Sequence, residues 1–133
     1  MDIVFYDKIL EDLQEKCKIY DNTIVPYPSN QPTYPYTVFE EIRNVVNERY
    51  NTCFDRVSSM GYRVDVFAKS KSNEENKQKI ARAIAKEIDN CLTNYWGLSQ
   101  ISWNVIELEN DSSIYHIVIT YSCNLHENRR RII

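Results

Sequence analysis

The chain contains very little glycine: Gly61 and Gly97 are the only two among its 133 residues. Loops that cradle phosphate groups need glycine at several positions, because the backbone must approach the ligand closely. The scarcity of glycine therefore argues strongly against the common glycine-rich motifs that bind mononucleotides or dinucleotides.

Candidate catalytic and metal-binding groups are also sparse. The two histidines, His116 and His126, have no Asp, Glu or Cys at metal-ligand spacing, and His116 is expected to be a surface or half-buried imidazole. The four cysteines form no C-x-x-C pair, so we expect buried free thiols. Glu107, Glu109 and Asp111 leave open a weak site for a divalent cation, against an acidic hairpin tip as the default. We predict no catalytic residue, no cofactor, no bound metal and no enzymatic activity.

A basic surface and long apolar runs are missing as well. The formal net charge is −3 and the pI is about 5.4, which argues against a dedicated nucleic-acid-binding protein. The one basic cluster, Arg129 to Arg131, is interpreted as a solvated tail, with a contact to an acidic partner or passing DNA as the alternative. The chain shows neither a signal-peptide pattern nor a run of about 18 apolar residues, so we expect no membrane association and synthesis in the cytoplasm.

The chain is expected to fold as a single α+β domain over residues 1–133. Apolar residues at alternating spacings of three and four predict a helix over residues 3–20, within an N-terminal unit 1–21. A second stripe, from Ile80 to Tyr95, predicts a longer helix that stops at Gly97. The link from the preceding strand through this helix to the next strand is either a right-handed crossover or an antiparallel return.

Alternation of apolar side chains predicts the strands. It occurs at Tyr36–Ile42, at about Ser58–Lys69, at Ile101–Leu108 and at Ile114–Cys123, and strand pairing is also expected at Ile24–Val25. All four prolines lie between residues 26 and 35, which predicts that the strand after them begins at a sheet edge. The expected fold is a single, mostly antiparallel sheet with two helices packed on one face and a protruding hairpin or loop.

The protruding hairpin or loop is expected over residues 43–59. This tract is mostly polar but also contains Val45, Val46, Tyr50 and Phe54, which is not the composition of a disordered linker. Loops of this length in compact domains are commonly functional. We interpret the tract as a hairpin that orders against a neighbouring molecule, and residues 126–133 as a flexible tail.

Four segments together resemble the tail terminator (tail completion, or tail-to-head joining) proteins of long-tailed phages. They are "YPYTVFEEI", "GYRVDVFAKS", "NKQKIARAIAKEIDNCL" and "NVIELENDSSIYHIVITYSC", in that order, and the similarity extends over about residues 30 to 125. The resemblance implies a structural virion protein that forms a ring, expected to be a hexamer. Such a ring caps the tail tube and presents a surface to the head connector.

The same resemblance implies partners and interface residues. The expected partners are further copies of the chain, the tail tube protein and a head-completion or connector protein, with DNA passing through the ring without specific binding. The expected location is the head-proximal end of the tail, after assembly in the host cytoplasm. The family's interface regions correspond to the strand Tyr34–Ile42 and the tract Arg43–Ser59. The predicted interface residues are Tyr34, Tyr36, Val38, Glu40, Arg49, Tyr50, Phe54 and Arg56.

Two other functions remain open from the sequence. One is a head-closure or adaptor protein of the same connector, which has a similar role but another partner. The other is a small ligand-binding or RNA-binding α+β domain, which would need a basic or aromatic sheet face open to solvent. The acidic pI and the two covering helices disfavour the second alternative.

Overall fold

One six-stranded mixed sheet forms the centre of the protein. The structure is a computed structural model of the chain and describes residues 3–28, 33–46, 57–69, 74–106, 114–126 and 131–132. Its elements in chain order are helix α1 (Ile3–Lys16), strands β1 (Thr23–Val25), β2 (Tyr36–Val46) and β3 (Val57–Lys69), helix α2 (Glu74–Asn90), and strands β4 (Ser99–Ile106), β5 (Ile114–His126) and β6 (Arg131–Ile132). The sheet order is β1-β2-β3-β5-β4, with β6 paired to β5, and only the β1–β2 pair is parallel.

The N-terminal helix is shorter than its apolar pattern predicts. Cys17 is buried, as the stripe requires, but α1 ends at Lys16. One turn of 3-10 helix follows at Ile19–Asp21, in which Tyr20 has a left-handed φ of 57°. The reversal of the chain towards β1 takes Tyr20 off the helical stripe, and its side chain is 46% exposed. The prediction of helix up to residue 20 is therefore wrong over the last turn.

Helix α2 buries most of the face that its sequence predicts, but Tyr95 at the end of the predicted stripe is exposed. Ile84, Ile88 and Leu92 are fully buried against the sheet. The helix continues as a π-helical segment, Cys91–Tyr95, and Gly97 follows with a φ of 77°. Because glycine adopts a left-handed φ without steric cost, it allows the backbone to leave the helix there. The predicted stop at Gly97 is confirmed.

The connection through α2 joins two parallel strands. Both β3 and β4 run antiparallel to β5, which lies between them, so β3 and β4 run in the same direction. Of the two connections open from the sequence, the crossover is therefore correct and the antiparallel return is wrong. The chain then returns from β4 to β5, and β5 lies in the gap between β3 and β4 that this crossover leaves.

Both helices pack on the same face of the sheet. The side chains of β3 and β5 that face them are the ones that alternation predicts: Tyr62, Val64, Val66, Ala68, Tyr115, Ile117, Ile119 and Tyr121. Next to them, the rings of Tyr6, Phe39 and Tyr62 stack, with centroids 5.1 Å apart for Tyr6–Phe39 and 5.5 Å apart for Phe39–Tyr62. The Tyr6 hydroxyl also donates a hydrogen bond to the Phe39 carbonyl oxygen. This cluster fastens α1 to β2 and β3, and the predicted α+β arrangement is confirmed.

The polar tract after β2 is shorter than the sequence suggests. β2 continues to Val46 and β3 already begins at Val57, and the two strands pair antiparallel up to Val46 with Ser58. Residues 43–46 and 58–59 therefore belong to paired strands and not to a loop. Polar and apolar residues alternate too weakly here for the sequence pattern to show that the strands continue. Residues 47–56 lie outside the described part of the chain.

Part of the predicted flexible tail belongs to the sheet. β6 pairs antiparallel with the end of β5, with Leu125 opposite Ile132 and His126 opposite Arg131. The prediction of a flexible segment over residues 126–133 is thus wrong for His126 and for Arg131–Ile132. A two-residue strand carries no periodic signal, so the sequence alone does not indicate it.

Candidate subunit interface

Strand β4 forms one edge of the sheet and exposes large apolar side chains. Its one partner among the described strands is β5, so its outer backbone edge faces away from the domain. The exposed fractions are 64% for Ile101, 39% for Trp103, 46% for Val105 and 38% for Ile106. These are four of the nine large hydrophobic side chains that are exposed among the described residues, so the exposed apolar surface is concentrated on one strand.

The position of the helices explains this exposure. Trp103 lies opposite Ile119, and Val105 opposite Ile117, on the face that the helices cover. Helix α2 packs over β3 and β5, and its buried face does not reach across the edge strand. Trp103 and Val105 therefore have the apolar character of core residues without the cover of a helix.

A β-bulge adds Ile101 to the exposed edge. The register between β4 and β5 shifts between Gln100 and Ser102, which leaves Ile101 as the extra residue. After the bulge, the Ser102 and Thr120 hydroxyls share a hydrogen bond of 2.5 Å that ties β4 to β5. The bulge thus turns an apolar side chain outward while the strand remains firmly paired on its inner side.

The π-helical segment before β4 carries one more exposed ring. Tyr95 is 67% exposed, and Lys16 Nζ lies 3.8 Å above its ring centroid. The next residue holds the segment in place, because Trp96 Nε1 donates to Asp12 Oδ2 at 2.9 Å. Burial tends to raise the pKa of Asp12, but hydrogen bonds from Lys16, Trp96 and Cys91 outweigh it and hold the pKa below its ordinary value. Asp12 is therefore a charged anchor between α1 and the approach to β4.

A second open edge lies on β2, at the other end of the sheet. β1 pairs only with Tyr36–Val38, so Phe39–Val46 has no described strand on its outer side. Ile42 is the extra residue of a bulge between Glu41 and Arg43, and it is 53% exposed. Gly61 faces this bulge, and a Cβ there would lie 3.1 Å from Arg43 Cβ and 3.3 Å from Ile42 Cγ1. A glycine at 61 therefore lets β3 pass close to the bulge.

The predicted interface residues on β2 lie mostly inside the domain. Tyr36 and Val38 are buried, and Tyr34 is half-buried with its ring 5.3 Å from that of Tyr36. β1 covers the outer edge of this part of β2, so the prediction of an open edge is wrong for Tyr36–Val38. Glu40 lies just beyond β1 and is half-buried.

The four other predicted interface residues, Arg49, Tyr50, Phe54 and Arg56, lie outside the described part of the chain, as do Glu107, Glu109 and Asp111. The β4 edge was missed, although the sequence contains a signal for it. Ser99–Ile106 has no charged residue, whereas exposed edges usually carry charges that prevent pairing with other chains.

A small cluster of polar and aromatic side chains lies on the face that the helices do not cover. His116 is only 7% exposed, because Phe67 stacks on its ring with a centroid distance of 4.1 Å, so the expectation of a surface or half-buried imidazole is wrong. Asp65 Oδ1 lies 3.4 Å from His116 Nε2, and Arg63 Nε donates to both Asp65 carboxylate oxygens, at 2.9 and 3.1 Å. Burial tends to raise the pKa of Asp65, but His116 and Arg63 outweigh it and hold the pKa below its ordinary value.

Acidification is expected to remove stability that Asp65 contributes. Because the folded state lowers the pKa of this carboxyl, the contribution is complete above the unfolded-state pKa of about 4 and is lost as the pH falls through the folded-state pKa. Urea unfolding at about pH 5 and about pH 2 measures the loss. The unmodified chain should lose more stability over this interval than Asp65→Asn, which has no titrating group at this position. Equal losses would contradict the assignment.

Three thiols and one cleft are further features of the described part of the chain. Burial raises the pKa of Cys17 to about 12, that of Cys91 to about 11 and that of Cys123 to about 12, so all three remain protonated thiols near neutral pH. A cleft of about 510 Å³ at the start of β4 has mostly polar walls, unlike typical ligand pockets. Its lining residues are Arg43, Ser59, Gly97, Ser99, Ser122, Cys123 and Asn124.

Comparisons with known proteins identify no family for this chain. Within the described ranges, no three His, Cys, Asp or Glu side chains come together as a possible metal site, and no helix there is long and apolar enough to cross a membrane. No protein-family model matches the chain, and no curated protein matches it significantly.

Proposed function

We propose that this chain is a phage tail terminator. Copies of it join into a ring, expected to contain six subunits, that closes the tail tube at its head-proximal end and binds the head connector. DNA passes through the ring without specific contacts. The chain is then a structural virion protein that assembles in the host cytoplasm. Its contacts stabilise binding between subunits and to the tube, and it catalyses no reaction.

The exposed apolar strand β4 is the observation that carries this proposal. Burying apolar surface is worth about 25 cal/mol per Å², so leaving Ile101, Trp103 and Val105 in water is unfavourable for a monomer. An unpaired strand with such side chains pairs readily with another chain. A protein that needs a partner to complete its sheet fits an assembly role better than that of an isolated binding domain.

The presence of two different open edges favours a ring over a twofold dimer. A ring needs a heterologous interface, in which one patch meets a different patch on the next subunit. The β4 edge and the distal part of β2 lie at opposite ends of the sheet and differ in sequence. The predicted contacts on the hairpin tip, Arg49, Tyr50, Phe54 and Arg56, would add to such an interface.

The test uses tubes assembled from the tail tube protein of the same phage. We expect the purified chain to be monomeric at nanomolar concentration by mass photometry, and to form rings at tens of micromolar or on tube ends. Electron micrographs should show one capped end on each tube, and added chain should stop tube growth. Monomers in all these conditions, with tubes that keep growing, would contradict the proposal.

Two single substitutions provide a matched pair. Trp103 and Ile19 are exposed to nearly the same extent, 39% and 37%, but Ile19 lies in the turn before β1 and not on β4. Trp103→Lys should abolish capping, whereas Ile19→Lys should retain it, with both variants folded by circular dichroism. Equal capping by both variants would remove β4 from the interface. Capture by the portal or connector protein without binding to tubes would instead assign the adaptor role.

A further inference from the structure

We infer that the ring is closed by pairing of sheet edges, in which the outer edge of β4 in one copy forms an antiparallel ladder with the outer edge of β2 in the next. This inference rests on the proposed ring and identifies the two surfaces that meet in it. The sheets of neighbouring subunits would then be continuous, with main-chain hydrogen bonds crossing every subunit boundary.

The two edges are matched in length. The free edge of β4, Ser99–Ile106, has eight residues. β2 has eleven residues, and β1 pairs with Tyr36–Val38, which leaves eight, Phe39–Val46, that pair with no described strand on the outer side. A ladder of this length satisfies a row of backbone N–H and C=O groups on both strands.

Strand direction favours this pairing. β2 is antiparallel to β3, β3 to β5 and β5 to β4, so β2 and β4 run in opposite directions at the two ends of the sheet. Rotation about a ring axis keeps the strand directions of each copy unchanged relative to that axis. The β4 edge of one copy therefore meets the β2 edge of the next in antiparallel orientation, which is the slightly more stable pairing.

Side-chain chemistry is compatible with the same contact. Each edge has a bulge that exposes an isoleucine, with Ile42 at 53% and Ile101 at 64%. β4 has no charged residue, so it brings no like charge against Glu40, Glu41 or Arg43 of the facing strand. β4 pairing with a second β4 would leave Ile42 exposed and would end at a dimer.

The edge of β1 is a poorer acceptor than that of β2. β1 has only three residues, Thr23–Val25, and Pro26 and Pro28 follow it. Proline has no backbone N–H, so a strand added along β1 would lose its hydrogen bonds immediately beyond Val25. The length and composition of the two strands thus direct the partner to β2.

A complementation experiment tests the inference in solution. Ile101→Lys with Val105→Lys blocks the β4 edge, and Ile42→Lys blocks the β2 edge, since lysine on an edge strand prevents pairing. Each variant alone should remain a monomer by native mass spectrometry at concentrations where the unmodified chain forms rings. The mass of the unmodified monomer is 15.8 kDa. An equimolar mixture should form dimers and nothing larger, because one intact β4 edge meets one intact β2 edge. Ile19→Lys is the control and should still form rings.

Self-association of the Ile42→Lys variant would overturn the pairing with β2. This holds whether the variant forms rings or only dimers, and in either case the proposed function would remain intact. A mixture that remains monomeric would overturn the pairing as well. If the unmodified chain neither forms rings nor caps tubes, the proposed function itself falls.

Photo-cross-linking covers the case in which rings form only on tubes. With p-benzoylphenylalanine in place of Ile101 and isotopically labelled and unlabelled copies mixed, irradiation of capped tubes should join the ring to residues 39–46 of another copy. The same probe in place of Ile19 is the control. Cross-links from position 101 to β4 of another copy, or to the tube protein alone, would overturn the inference.

Discussion

Phe39→Ala is expected to lower the free energy of unfolding by about 3–5 kcal/mol, the range for a large aromatic side chain in a core. Phe39 is fully buried, and its ring contacts those of both Tyr6 and Tyr62, with interplanar angles of 11° and 17°. Removing the ring opens a cavity at the point where α1 contacts β2 and β3. The loss is measured by urea unfolding and by the thermal midpoint.

Ile42→Ala in the same strand is the matched control. Ile42 is 53% exposed at the bulge, so its truncation should change stability by no more than about 0.5 kcal/mol. The pair of variants separates the inward-facing residues of β2 from its outer edge. Similar losses from both, or a loss of less than about 1 kcal/mol from Phe39→Ala, would show that β2 is not placed between α1 and β3 as described.

Replacement of residues 48–56 by Asn-Gly is expected to abolish ring assembly while the fold remains intact. Val46 pairs with Ser58, so the variant is designed to extend this ladder by one pair and to close it with a two-residue turn. Asn-Gly is favourable at such turns. The replaced segment contains Arg49, Tyr50, Phe54 and Arg56, and removal of several aromatic and arginine contacts should weaken association by about 1,000-fold or more.

The design of this variant depends on the hairpin stem. Deleting residues 44–57 would also remove Asn44–Val46, which pair with β3, and Val57, which pairs with β5, and would thus damage the sheet. The shorter replacement should leave the circular dichroism spectrum and the thermal midpoint close to those of the unmodified chain. Normal rings would show that the hairpin tip is not part of the interface, and an unfolded product would show that it belongs to the core.

Alternation in the sequence predicts which way a side chain points, but it does not predict whether the strand lies at an edge of the sheet. Alternation correctly predicts that Phe39 and Val38 point to opposite faces of the sheet. Both are buried, Phe39 under α1 and Val38 on the face that the helices do not cover. Whether an alternating strand is central or at an edge depends on its neighbours. β1 has only three residues and pairs in parallel with β2, and no local pattern indicates such a pairing.

The sequence predicts an open sheet edge at Tyr34–Ile42, but it does not predict the open edge on β4. The proline-bounded segment Tyr36–Val38 is expected to be an open edge and is covered by β1, whereas Trp103 and Val105 are exposed on β4, which the alternation of apolar residues does not predict. Tertiary packing makes the difference, because β1 and α1 cover this part of β2 whereas α2 does not extend over β4. Neither fact is a property of the strand itself.

The amino-acid sequence by itself determined the α+β class, most of the buried stripe of each helix, and the inward faces of β3 and β5. Tyr20 and Tyr95, at the C-terminal ends of the two predicted stripes, are exposed. Periodicity is sufficient for these features, because a side chain's direction relative to its own helix or strand follows from local backbone geometry. Only the tertiary structure decided the strand order, the crossover around β5, the end of α1 at Lys16 and the uncovered edges of β4 and β2. Those features depend on contacts between residues far apart in the chain, and the apolar character of one segment does not indicate which other segment covers it.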